Sequence, residues 1–133
     1  MSTRCQIGIY ESDEQDISKP TVLLYKHSDG YPDGVLPTLL PFLHRFAKQR
    51  GLDDVEYLPA WLLYEFMEES VNQMKNYRPG SDGKEFIGYG ICGDHTFHGD
   101  IEFYYRITPT TLTVYSDPPC EGPFSDAAWD AYQ

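Results

Sequence analysis

Between residues 21 and 34 the chain changes its period, and that change constrains the fold more than any other feature of the sequence. Thr21 to His27, rich in apolar residues, reads as a strand. Ser28-Asp29-Gly30-Tyr31-Pro32-Asp33-Gly34 is dense in turn formers. From Gly34 to Arg50 the apolar residues recur every three or four positions, and Leu36, Leu39, Leu40, Leu43, Phe46 and Ala47 form one stripe. Asp33 is expected as the helix N-cap and Gly51 as the C′ residue. Pro37 suits a first turn, whereas Pro41 lacks a backbone donor one turn later, so a kink or a late start is expected there.

The rest of the chain supplies what that helix packs on. Residues 5–10 alternate, with Cys5, Ile7 and Ile9 on one face. A second helix is expected from about Pro59 to Tyr77, with Leu62, Leu63, Phe66, Met67, Val71 and Met74 turned inward. The turn cluster Arg78-Pro79-Gly80-Ser81-Asp82-Gly83 stops it. Strand-like segments follow at 85–92, 100–108 and 111–116. The element order is therefore ββααβββ, an α+β class in which two helices pack on one face of a mostly antiparallel sheet. A chain of 133 residues in this order reads as a single domain spanning 1–133. Its residues 117–133, carrying Pro118, Pro119 and Pro123, form an irregular tail that Phe124 and Trp129 are expected to dock.

Lys and Arg total 10 against 21 Asp and Glu, a net charge of −11. Such a field repels nucleic-acid backbones and anionic membranes and attracts a basic protein surface. No apolar run approaches the roughly 18 residues of a membrane span. Residues 1–6 carry no apolar signal core, and three scattered cysteines form neither a CxxC pair nor a disulfide framework. The expected location is the cytoplasm.

Three groups of residues invite a functional reading. In the turn after the second strand, His27, Asp29 and Asp33 suit a cation, while the amides opening the first helix suit an anion. The same residues also serve as plain turn and cap chemistry. In Gly93-Asp94-His95-Thr96-Phe97-His98-Gly99-Asp100, two histidines and two aspartates have the donor atoms for a divalent metal, though their spacing matches no metalloenzyme signature. A metal site built from His27, Asp94, His95, His98 and Asp100 requires the two loops to converge. Third, strand parity sets Arg4, Gln6, Gly8 and Tyr10 opposite the apolar face of the first strand. In a later strand it sets Asp100, Glu102, Tyr104 and Arg106 opposite Ile101, Phe103, Tyr105 and Ile107. Aligned, these residues would make a Tyr- and Arg-bearing interface or, equally, an ordinary solvated sheet face. The candidate binding residues are accordingly Arg4, Tyr10, His27, Asp29, Tyr31, Asp33, Glu102, Tyr104 and Arg106. No nucleophile elbow or phosphate loop is present, so no catalytic residue is assigned.

Thr3-Arg4, Leu24-Tyr25-Lys26-His27-Ser28-Asp29-Gly30-Tyr31-Pro32 and Gly99-Asp100-Ile101-Glu102-Phe103-Tyr104-Tyr105 together resemble small proteins of unassigned activity encoded by bacteriophages, plasmids and other bacterial mobile elements. The resemblance implies a genomic setting and carries over no site residues. With the charge, it leads to the expectation of a non-enzymatic protein without a cofactor. Such a protein binds and occludes a host protein, for instance a defence or nucleic-acid-handling factor, and makes no direct contact with nucleic acid or membrane. The alternatives are a hydrolase using a divalent metal held between the two His/Asp loops, and a module that binds a small ligand.

Overall fold

The computed structural model describes residues 3–116 and 125–129, the last five as backbone only. Its elements are β1 (Cys5–Ile9), β2 (Val22–Lys26), α1 (Pro32–Gln49), α2 (Tyr57–Tyr77), β3 (Tyr89–Ile91), β4 (Phe103–Ile107), β5 (Leu112–Ser116) and β6 (Ser125–Trp129). Through β5 this is the expected order, ββααβββ. The irregular tail needs correction over five residues: Ser125–Trp129 forms a strand antiparallel to β5, with Ser125 opposite Ser116. Residues 117–124 and 130–133 lie outside the described residues, as do the docking roles expected of Phe124 and Trp129.

The described strands form one sheet in the order β3-β2-β1-β4-β5-β6. The sheet is mixed, which corrects the expectation of a mostly antiparallel one. Its central ladder joins β1 and β4 in parallel, while the ladders on either side are antiparallel. The reason is the long connection between these strands. After β3 the chain crosses the sheet and enters beside β1 running the same way, a pairing that no tight hairpin could make.

All five residues of β1 are buried. On one face Cys5, Ile7 and Ile9 join Tyr105 and Ile107 against Val35, Leu39 and Leu43 of α1 and Leu58, Leu62 and Phe66 of α2. On the other face Leu23, Tyr10 and Tyr104 pack against Cys92 and Ile101 from the β3–β4 connection, with Ile17 from the β1–β2 loop beside them. Helices cover one side of the sheet and loops cover the other.

α1 begins at Pro32, earlier than its sequence suggests. Its N-cap is the extended Tyr31, not Asp33. Asp33 stands inside the first turn, where its charge complements the positive helix end. Pro37 and Pro41 both lie within the helix on its exposed side, so the missing hydrogen bonds fall where the helix faces solvent. Gly51 takes the C′ role at φ +91°, with its amide donating to the Phe46 carbonyl. α2 starts at Tyr57, because the Asp54 carboxylate accepts the Tyr57 amide at 3.0 Å and the Glu56 amide at 3.3 Å. Met67, expected in the core, is exposed.

The parallel ladder sets Gly8 opposite Arg106 and Gln6 opposite Tyr104. A Cβ on Gly8 would lie 1.7 Å from the Tyr104 hydroxyl oxygen, and that hydroxyl is tied to Tyr10 at 2.5 Å. A Cβ on Gly90 would meet nothing within 4 Å. Gly8→Ala is expected to cost about 1–3 kcal/mol by overpacking. Gly90→Ala should stay within about 0.5 kcal/mol of the parent. Urea unfolding of the two variants checks both, and equal costs would show that the Tyr104 contact is not what requires a glycine.

Candidate functional site at the β2–α1 turn

The turn between β2 and α1 is fastened from every side. The Gly30 amide donates to the Thr3 carbonyl at 2.9 Å, and the Gly30 carbonyl accepts the buried Tyr105 hydroxyl at 2.7 Å. A Cβ on Gly30 would come within 2.8 Å of the Cys5 Cβ, and one on Gly34 within 2.3 Å of the Asp29 carbonyl. Asp29 holds a left-handed conformation at φ 55°, which Asp tolerates better than most residues. Much of the dense turn motif is therefore architecture, and its fixed backbone presents the side chains of Asp29, Tyr31 and Asp33 outward.

Those three side chains line a groove of about 480 Å³ between the turn, the start of α1 and the C-terminal half of α2. Glu69, Ser70, Gln73 and Tyr77 come from α2, Phe86 from the approach to β3 and Tyr89 from its first position. At its base is Lys26, only 6% exposed. Its ammonium donates to the Ser28 carbonyl and, at 3.4 Å, to the Asp29 carbonyl. It also stands 5.7 Å from the ring centre of Phe66 and 5.5 Å from that of Tyr89. Burial pushes the Lys26 ammonium below its ordinary range, and the Cys5 thiol, Asp29 and Glu69 push the other way. Glu69 accepts hydrogen bonds from Thr38 and Gln73, which fix it across the gap between α1 and α2. Lys26, Glu69 and Tyr89 were missed by sequence reasoning. A lysine closing an apolar strand reads as a strand end, and nothing local reveals that it shares the parity of Leu24 and so turns under α2.

The other candidate residues divide among separate places. Tyr10 and Tyr104 are fully buried, so they cannot belong to an open sheet face; the two loops cover them. Arg106 lies over the Tyr10 ring at 5.0 Å and donates to the carbonyls of Gln15 and Asp13, pinning the β1–β2 loop. Glu102 is half-buried, and its amide donates to the Arg4 carbonyl. His27 and His98 do approach one ring: the Tyr25 hydroxyl lies 2.9 Å from His27 Nδ1, and the Tyr25 ring stacks on His98 at 4.8 Å. Of the remaining members of the expected metal set, His95 is exposed, with its amide on the Cys92 carbonyl, and the two aspartates are engaged elsewhere. Asp100 pairs with Arg4 at 3.5 Å, and Asp94 accepts the Thr96 amide within its own turn. Among the described residues no group of three or more His, Cys, Asp or Glu stands where it could hold a metal ion.

Gln6 explains why the 93–100 loop lies down. Although fully buried, it donates to the Thr96 carbonyl and to Cys92 Sγ, both at 3.2 Å, and accepts the His98 amide at 2.9 Å. Compared with known proteins, the chain matches no family model, no curated protein and no solved structure. The site thus rests on its own geometry.

Gln6→Leu keeps the volume but strands the Thr96 carbonyl and the His98 amide. It should cost about 1–3 kcal/mol. Hydrogen exchange should accelerate at residues 96–98 while the amides of α1 keep their protection. Unchanged exchange there would remove Gln6 as the loop's anchor.

Burial raises the Cys5 thiol from 9.0 to about 12. A raised folded value stabilises fully below pH 9, and that contribution is lost as pH climbs from 9 through 12. The buried tyrosines add the same sense of loss from pH 10 upward; Tyr89, for example, is pushed up to about 12, chiefly by burial. Lys26, with a lowered value, acts in the opposite sense. Cys5→Ala should therefore flatten the fall in urea midpoint, most visibly between pH 9 and 10, and a parallel profile would contradict this account.

Proposed function

We propose that this chain is a binding protein that acts in the cytoplasm by occluding a basic surface of a host protein. The observation that carries the reading is a row of exposed aromatic residues on α2. Tyr57, Trp61 and Tyr64 follow one another at helical spacing, and Trp61 and Tyr64 are 53% and 49% exposed. Met67 extends the row. Aromatic residues and methionine are enriched at the centres of protein interfaces.

The row is held in shape before any partner arrives. Trp61 and Tyr64 meet edge to face at 5.8 Å, and the Tyr64 hydroxyl donates to Glu68 at 2.5 Å. The Arg50 guanidinium covers Tyr57 at 4.1 Å while paired with Asp54 at 2.7 Å. Such preorganisation lowers the entropy lost on association. Glu68 stands beside the row, Glu56 precedes it in sequence and Glu65 is paired with Arg45, on a protein of net charge −11. The fitting partner is therefore a protein with an apolar pocket ringed by Lys and Arg. Among the described residues no helix is long and apolar enough to cross a membrane.

The test is purification of the tagged chain from its host, followed by binding kinetics with the partner recovered. Trp61→Ser with Tyr64→Ser should weaken that partner at least tenfold and leave the melting temperature within a few degrees, since both side chains are exposed. Raising the salt should slow association while dissociation changes little. Undiminished binding by the double variant, or an on-rate indifferent to salt, would overturn the reading.

A further inference from the structure

We propose that the groove at the β2–α1 turn binds a small organic cation, an alkylammonium or guanidinium group carried on an apolar stem. This site is separate from the α2 row, and it stands or falls independently of it. The groove of about 480 Å³ has room for a ligand of that size. Its lining combines two kinds of group that anions avoid and organic cations favour. Asp29, Asp33 and Glu69 supply carboxylates, and Tyr31, Tyr77 and Phe86 supply exposed ring surface. Three carboxylates against the single ammonium of Lys26 leave the lining with an excess of negative charge, and the field of the whole chain adds to it.

The protein also contains one example of the same recognition. The Lys26 ammonium lies 5.7 and 5.5 Å from the ring centres of Phe66 and Tyr89 with its protons on backbone carbonyls, so the floor of the groove already accommodates an alkylammonium beside rings. Above that floor the Asp29 and Asp33 carboxylates stand at the rim, and the Tyr31 hydroxyl lies 3.4 Å from Asp29 Oδ1. A ligand would lay its stem against the ring faces and bring its charged end to this rim. Charge-assisted hydrogen bonds to carboxylates are the stronger contacts available there.

Calorimetric titration at 150 mM salt tests this with spermidine, with N-acetyl-arginine amide, and with glycerol as the neutral control. Saturable binding of one cation per chain is expected, with none for glycerol. Asp29→Asn with Asp33→Asn should weaken binding at least tenfold, and Asn suits the left-handed position 29. Glu11→Gln with Glu14→Gln removes the same charge from an exposed loop distant in sequence and should leave affinity unchanged. Tighter binding of spermidine would identify a free polyamine as the ligand. Tighter binding of the arginine derivative would identify a basic side chain of another protein. Absence of binding by either cation would overturn the proposal, as would equal weakening by the two double variants, which would reduce the effect to general acidity.

Discussion

β1 has no solvent face, and the rest of the structure is arranged around that constraint. A strand buried on both sides must be covered twice. The chain covers it once with helices and once with loops, and the loop side poses the harder problem because loop backbone carries polar groups into a covered space. Gln6 and Gly8 solve it from within the strand. Gln6 satisfies a donor and an acceptor of the 93–100 loop. Gly8 leaves the room into which the Tyr104 hydroxyl reaches toward Tyr10. Arg106, opposite Gly8 in the same ladder, holds the β1–β2 loop by its carbonyls. The polar face of the central strands is thus internal adhesive rather than a surface for partners.

The same economy shows at the β2–α1 turn. Gly30 and Gly34 are glycines because other backbone passes too close for a side chain, and Lys26 is buried because two carbonyls and two rings surround it. What remains outward-facing is a short row of carboxylates and rings whose backbone cannot drift. A binding surface on so stiff a support loses little freedom when it is occupied.

The sequence was legible where one local rule decided the outcome. Leu39, Leu43 and Phe46 follow helical spacing and are buried as that spacing predicts, and Gly51 ends α1 with a positive φ. Strand parity correctly opposed Cys5, Ile7 and Ile9 to Gln6 and Gly8. Where two rules competed, the tertiary one prevailed. Pro41 argued for a break, yet exposure of that side of α1 lets the helix run through both prolines. Met67 fitted the inward stripe of α2 but is 43% exposed, at the edge of a pocket it shares with Val71, Phe86 and Ile87. The parallel pairing of β1 with β4 was not legible at all, since periodicity reports the faces of a strand and not its neighbours. For the same reason the site was found only in part. Asp29, Tyr31 and Asp33 were marked by their turn, whereas Glu69 and Tyr89 reach the groove from elements 35 or more residues away.

Pairing of Cys5 with Phe103 also has a consequence for how the chain is made. During synthesis β1 leaves the ribosome almost a hundred residues before the strand that completes its central ladder. Until then the hairpin with β2 is the only sheet pairing it can form, and its other edge stays unpaired. Contacts so distant along the chain close slowly, and at the usual pace of translation the wait lasts on the order of ten seconds. Throughout that interval the nascent chain offers an open strand edge, a template on which a strand of another chain could pair.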